Sequence, residues 1–207
     1  MYYNINVAGT KPTNLITFNG NSNYLALVEH EYIGFENVGT YMQQYYTNEK
    51  LSKLAYEIMT ESYSEKELES FSYLEPSCGG IGGLIECLPK NKTTGVDISK
   101  INISLRKEQG FNVINEDFIN YGVKTKDRYN MIIMNPPFRN NQAYNHTVLA
   151  SRLLKENGVL TSIIPSCNKD FFSELDTDFE ITYSKEFGKE FDETNIKVVI
   201  VKLKKKW

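Results

Sequence analysis

The chain has 207 residues, 41% hydrophobic and 24% charged, with a formal net charge of −3, a balance that suits one globular domain and excludes a disordered or fibrous chain. No basic leader with an apolar stretch opens the sequence and no apolar run approaches a bilayer span, so a soluble cytoplasmic protein is expected. Cys78, Cys87 and Cys167 form no close pair and the histidines are His30 and His146, so neither a disulfide framework nor a bound metal is expected, and nucleic-acid binding would need a local basic patch that the overall charge does not supply.

Residues 1–39 are rich in Asn, Gly and Tyr, with apolar pieces over 15–18 and 24–28 separated by Asn19-Gly20-Asn21, a hairpin signal. They read as an N-terminal arm or small β ribbon, and 40–207 as the main domain. Leu51, Leu54, Ala55, Ile58 and Met59 recur at helical spacing behind Thr47 and Asn48, either of which can cap the helix. Free amides at that N-terminus favour an acceptor-rich ligand.

The run Ser72-Tyr73-Leu74-Glu75-Pro76-Ser77-Cys78-Gly79-Gly80-Ile81-Gly82-Gly83-Leu84 reads as a strand, a glycine-rich turn and a helix through about Leu88. Glycines in such a turn let backbone approach a nucleotide-like ligand closely. A second strand over 93–98 ends in Asp97, and Ser99 can cap the following helix. An acid just past a strand, about twenty residues beyond a glycine loop, is placed to accept both hydroxyls of a ribose. A third strand over 111–114 leads to Asn115-Glu116-Asp117-Phe118.

Tyr129-Asn130-Met131-Ile132-Ile133-Met134 is continuously apolar but for one residue, the mark of a strand buried on both faces, and Pro136-Pro137 stops it. The prolines fix φ and bias the preceding residues to extended geometry, so the Asn135 amide and the Pro136 carbonyl stand as two neighbouring acceptors to which a planar amino group can donate both hydrogens. Phe138 adds a π face for stacking on a flat heterocycle.

Residues 139–145 are polar and read as a lid loop near substrate. A helix then runs over 148–154 to Gly158 as its C-cap, 159–165 is a buried strand, and 180–183 and 196–201 are strands around Phe191-Asp192-Glu193-Thr194-Asn195. The lysine-rich 202–207 segment reads as a solubilising, frayed end. Strands alternating with helices predict a Rossmann-like three-layer α/β/α sandwich whose strands carry Glu75, Asp97, Asp117 and Asn135 at their carboxyl ends, where such sheets bind ligands.

Asn135-Pro136-Pro137-Phe138 closely resembles the Asn-Pro-Pro-Tyr/Phe motif of S-adenosylmethionine-dependent amino-methyltransferases, which modify adenine N6 or, in one branch, a protein glutamine amide. Gln44-Tyr45-Tyr46-Thr47 resembles the Gln-Tyr-Phe/Tyr-Thr-Pro segment of DNA adenine methylases, with Asn48 standing where Pro is usual; the resemblance implies that Tyr45, Tyr46 and Thr47 line the methionine end of the cofactor. Glu75-Pro76-Ser77-Cys78-Gly79 resembles their Glu-Pro-Ser-Cys/Ala-Gly-x-Gly cofactor loop, although the next family glycine falls at Ile81 and Gly82 comes one place late. By the same resemblance Asp117 accepts from the cofactor's adenine amino group, Phe118 packs on that ring, and Asp97 with Ile98 completes the cofactor set. Leu153-Leu154-Lys155-Glu156-Asn157-Gly158 looks like a crossover common in class I methyltransferases, and the closing strand pair resembles compact phage-type enzymes. The motif order resembles the γ arrangement of DNA amino-methyltransferases over roughly residues 40–203.

The resemblance implies a class I methyltransferase fold, a mostly parallel sheet with an antiparallel C-terminal strand, and S-adenosyl-L-methionine as cofactor. It further implies methyl transfer to adenine N6 of DNA in a restriction-modification or phage setting, with Asn135, Pro136, Pro137 and Phe138 as the catalytic set. No room remains for a large recognition domain, so loose specificity, a very short site, a recognition subunit or a homodimer follows. Three alternatives stand beside it: a ribosomal or transfer RNA adenine methyltransferase; a protein glutamine methyltransferase, which calls for a helical N-terminal domain that residues 1–39 do not suit; and a catalytically silent scaffold subunit, which the altered glycine loop permits.

Overall fold

The computed structural model describes residues 47–188 and 196–207, the side chains of 168–170 apart. The arm expected over 1–39, the Tyr45-Tyr46 pair and the turn at 191–195 lie outside the described residues.

Among the described residues one sheet forms from β1 (Tyr73–Glu75), β2 (Thr93–Asp97), β3 (Asn112–Asn115), β4 (Tyr129–Met134), β5 (Leu154–Pro165), β6 (Phe179–Tyr183) and β7 (Val198–Lys205). The spatial order is β3-β2-β1-β4-β5-β7-β6, with β7 antiparallel to β5 and β6 and the other neighbours parallel. The chain builds outward from β1 through β2 to β3, then returns to lay β4 on β1's other side. That reversal opens a crevice between the carboxyl ends of β1 and β4, the place where open α/β sheets bind ligands.

The apolar run of β4 follows from helices on both faces. Met131 and Ile133 pack with Val159 and Ile163 of β5 against Leu51, Ala55 and Met59 of α1 (Glu49–Thr60). Ile132 and Met134 point the other way, with Leu160 and Ile164, onto Phe118 and Tyr121 of α4 (Phe118–Lys124) and Ala143 and Ala150 of α5 (Gln142–Ser151). From Met131 to Met134 neither face meets water, so no position there favours a polar residue. Each such aliphatic side chain contributes about 1.5–3 kcal/mol when removed from solvent. Between α1 and β1 lies α2 (Glu65–Ser70), closed by a Ser64–Glu67 capping box; α3 (Lys100–Glu108) follows β2. No helix among the described residues is long and apolar enough to cross a membrane.

Four local expectations need correction. The end expected to fray over 202–207 instead continues β7 as far as Lys205, with Leu203 wholly buried and Lys202 nearly so. The helix expected after the glycine turn is a single 3-10 turn, Leu84–Cys87, because Gly82 and Gly83 hold φ of +62° and +80° up to its start and Pro89 stands just beyond its end. The polar segment expected as a lid is a 3-10 turn, Arg139–Asn141, running straight into α5. Asn140 and Asn141 adopt φ of 52° and 58°, a left-handed geometry asparagine tolerates, which turns the chain within a few residues. Gly158 is not a helix C-cap: α5 ends at Ser151 and β5 starts at Leu154. The β4–β5 register shifts between Tyr129 and Met131, and a Cβ on Gly158 would sit 2.9 Å from the Lys155 carbonyl and 3.0 Å from that of Asn130. The glycine permits this close passage of backbone at the irregularity.

Candidate functional site

The site is assembled from four adjacent strand ends. Glu75 is the last residue of β1 and Asp97 the last of β2; Asp117 follows β3 by one turn and Asn135 directly follows β4. The parallel pairing that aligns these strands makes neighbours of residues far apart in sequence.

Glu75 is 1% exposed. Its Oε1 accepts from Ser77 N–H at 3.2 Å, and its Oε2 has no hydrogen-bond partner among the described residues. Burial, then the nearby Asp97 carboxylate, drives its pKa well above the ordinary value, with the Ser77 amide and the Arg106 guanidinium opposing. A buried acceptor of this kind is costly without a donor or a cation to meet it.

Asp97 is held from three sides. Its Oδ2 accepts from Gly79 N–H at 2.9 Å, and its Oδ1 from Ser99 N–H at 2.8 Å and Asn102 Nδ2 at 3.1 Å. Burial still raises its pKa against these donors. The glycine turn and the β2 end are thus one structure, with Ile98 projecting beside them at 60% exposure. Asn115 Nδ2 donates to the Asp97 and Ile98 carbonyls at 3.1 and 2.9 Å, tying the β3 end to the same rim. Pro76 is buried and Ser77 half-buried in the turn itself.

Asp117 caps α4, its Oδ1 accepting from Ile119 and Asn120 N–H at 2.8 and 3.2 Å, so one carboxylate oxygen is committed to the helix. Phe118 is 4% exposed and belongs to the core, where its ring lies 5.5 Å from that of His146 at a tilt of 54°. The tetrapeptide sits on the far side of the crevice. Asn135 Nδ2 donates to Thr47 Oγ1 at 3.0 Å; Pro136 is buried, Pro137 half-buried, and Phe138 packs partly buried against the hydrophobic clusters of both sheet faces. Thr47 sits just before Asn48, whose side chain caps α1 through Leu51 N–H at 2.8 Å.

Sequence reasoning overlooked Arg106 and His146. Arg106 lies on α3, fully buried behind the glycine turn; the signal was its place one turn after Asn102, on the helix face that begins at the Ser99 cap. His146, on α5, is 7% exposed, and burial lowers its pKa while Asp117 opposes.

A family model described as the methyltransferase small domain matches residues 85–191, slightly over half of the chain. No curated protein matches the sequence. Among solved structures, a Pyrococcus horikoshii protein provisionally assigned as an RNA methyltransferase is 19% identical, with a TM-score of 0.58 over 89% of this chain and 99% of that one. A Listeria monocytogenes protein, provisionally assigned as a class I S-adenosylmethionine-dependent methyltransferase, is 18% identical, with a TM-score of 0.58 over 87% of this chain and 65% of that one. The 23S rRNA methyltransferase ErmE is 14% identical, with a TM-score of 0.55 over 78% of this chain and 70% of that one. At these identities the likeness establishes the fold.

Proposed function

From the premise that the chain belongs to the methyltransferase small domain family and uses S-adenosyl-L-methionine, we propose that it methylates the exocyclic N6 amino group of adenine in a nucleic acid, DNA foremost. The observation that carries this reading is the Asn135-Pro136-Pro137-Phe138 segment directly after β4, its amide donating to Thr47, on the strand that pairs with the β1 strand ending in Glu75.

The residues present fit the cofactor. The buried Glu75 carboxyl, with Oε2 lacking a partner among the described residues, suits a cationic methionine end. Asp97 is braced by three donors at a strand end, where its carboxylate would accept from ribose hydroxyls, with exposed Ile98 beside it for an adenine face. Asp117, with Oδ1 on the α4 amides, would turn Oδ2 to an adenine amino group. Phe118 would supply an edge and not a stacking face, being almost wholly in the core.

When bound, S-adenosyl-L-methionine supplies an electrophilic sulfonium methyl. The chain's own task is to make a poor nucleophile attack it. The adenine N6 lone pair is delocalised into the ring. Asn135 Oδ1 and the Pro136 carbonyl would accept its two hydrogens and favour a tetrahedral nitrogen whose lone pair is available, while Phe138 stacks on the base. Asn135 and the Pro136 carbonyl would hold the nitrogen while its new bond to the methyl carbon replaces the carbon–sulfur bond, the sulfur leaving as a neutral thioether, and the surplus N–H proton would then pass to water. Positioning and electrostatics carry the step, without a covalent nucleophile. Extracting the base from a duplex costs about a few kcal/mol, which stacking on Phe138 offsets in part.

RNA is the second reading, supported by the RNA substrates in the names of two of the structural neighbours. Transfer of radiolabelled methyl to DNA, RNA and protein, with Asn135→Ala as control, tests the proposal: label is expected on adenine N6 of one nucleic acid and lost by at least ~10²-fold in the variant. Label on protein glutamine, or undiminished transfer by Asn135→Ala, refutes it.

A further inference from the structure

The cofactor loop departs from the family spacing at Ile81, and the side chain behind it explains how such a loop holds a shape. Arg106 is fully buried. Its Nε donates to the Gly79 carbonyl at 2.9 Å; one terminal nitrogen donates to the Cys78 carbonyl at 3.0 Å and to the Gly82 carbonyl; the other donates to Glu86 Oε1 at 2.9 Å and Gln109 Oε1 at 2.7 Å. All five N–H groups of the guanidinium are engaged. The cation also lies 5.8 Å from the centre of the Phe111 ring, and Glu86 Oε1 takes the Gly82 N–H at 2.8 Å, closing the loop upon itself.

A trans peptide points its carbonyl and the following N–H in opposite directions. With the Cys78 carbonyl drawn to Arg106, the Gly79 N–H must face away, and it does so onto Asp97 Oδ2 at 2.9 Å. The same rule turns the N–H groups of Gly80 and Gly83 away from Arg106, since the carbonyls of Gly79 and Gly82 are tied to it. We infer that Arg106 is a positioning residue for the cofactor loop, gripping three of its carbonyls from behind so that the irregularly spaced glycines present their amides and Asp97 to S-adenosyl-L-methionine. This rests on the cofactor reading of the loop. A lysine cannot replace it, because three donors on one atom do not span carbonyls and carboxamide at once. The arginine's charge also opposes the upward pKa shifts of Glu75 and Asp97, keeping both closer to the ionised form that a cationic ligand needs.

Calorimetric titration with S-adenosyl-L-methionine and with S-adenosylhomocysteine, at a temperature where circular dichroism shows each variant folded, tests this. Arg106→Lys is expected to bind roughly thirtyfold more weakly, the scale of two lost hydrogen bonds, and Arg106→Met to shift the pH of half-maximal binding upward as well. A role confined to stability would lower the melting temperature and leave affinity within about twofold at every pH, and that result overturns the inference. Should Arg106→Met not fold, Glu86→Leu takes its place: the Glu86 side chain is 48% exposed, and its loss frees one Arg106 N–H and the Gly82 N–H. About fivefold weaker binding is expected there, restored by Glu86→Gln; unchanged affinity in Glu86→Leu counts against the grip. If the wild-type protein binds neither ligand, the cofactor reading fails on its own, and the grip is then judged by amide exchange at Gly80 and Gly83. Faster exchange in Arg106→Lys upholds it and equal exchange removes it.

Discussion

Asn135 and Thr47, 88 positions apart in sequence, meet through a 3.0 Å hydrogen bond in which the Asn135 Nδ2 donates to the threonine hydroxyl oxygen. An amide has one donor arm and one acceptor arm. Committing the donor to Thr47, which is only 6% exposed, directs Oδ1 along the other branch as an acceptor. A flipped amide would face a substrate amino group donor to donor.

Thr47→Val is therefore expected to lower kcat by roughly five- to hundredfold, the range set by one buried hydrogen bond of about 1–3 kcal/mol. Thr47→Ser should restore most of it. Steady-state kinetics gives the rate, and the side-chain amide resonance of Asn135 reports its orientation directly. An unshifted resonance in Thr47→Val would mean that the hydroxyl does not hold the amide.

The pH dependence of the ligand-free protein should carry the mark of Glu75. Burial and Asp97 raise its folded pKa above the ordinary 4.5, so the folded state binds this proton more tightly than the unfolded one. That contribution to stability is complete below about 4.5 and is lost as pH rises through the elevated folded value; Asp97, also raised, acts in the same sense. Glu75→Gln should flatten the fall in melting temperature towards alkaline pH and abolish cofactor binding. In the wild type, binding of the cationic cofactor should release a proton, seen as a dependence of binding heat on buffer ionisation enthalpy. A melting curve with the same pH slope in both proteins argues against this account.

Asp97→Asn preserves shape but has one acceptor where the carboxylate has two, and it must still serve Gly79, Ser99 and Asn102. Cofactor affinity is expected to fall by roughly 10²-fold, as for the loss of charge-assisted contacts, with the far-ultraviolet spectrum unchanged. A dissociation constant within a few-fold of the wild type would remove Asp97 from the binding set.

Gly158→Ala tests the irregularity where β5 begins. The added carbon would lie 2.9 Å from one carbonyl and 3.0 Å from another, both backbone, so the strand must shift. A loss of about 1–3 kcal/mol is expected, read as a lower denaturation midpoint at an unchanged denaturant slope. Methyl transfer should persist, since the carboxyl end of β5 lies at the opposite edge of the sheet.

The amino-acid sequence alone determined the strands that carry the site and the residues at their ends. A strand stretch covered on both faces is apolar throughout, as 131–134 is, and an abrupt polar or proline residue marks where such a strand ends, as at Glu75-Pro76, Asp97 and Asn135-Pro136. Caps at Asn48 and Ser99 were legible because the signal is local: a side-chain acceptor beside its own helix. Only the tertiary structure decided that Thr47 meets Asn135, that a single arginine on α3 grips the glycine turn, that 139–145 enters a helix, and that Gly158 belongs to a strand. Those features depend on which backbone groups are left over once the sheet has formed, and leftover donors and acceptors are matched through space, by partners whose separation along the chain no periodicity records.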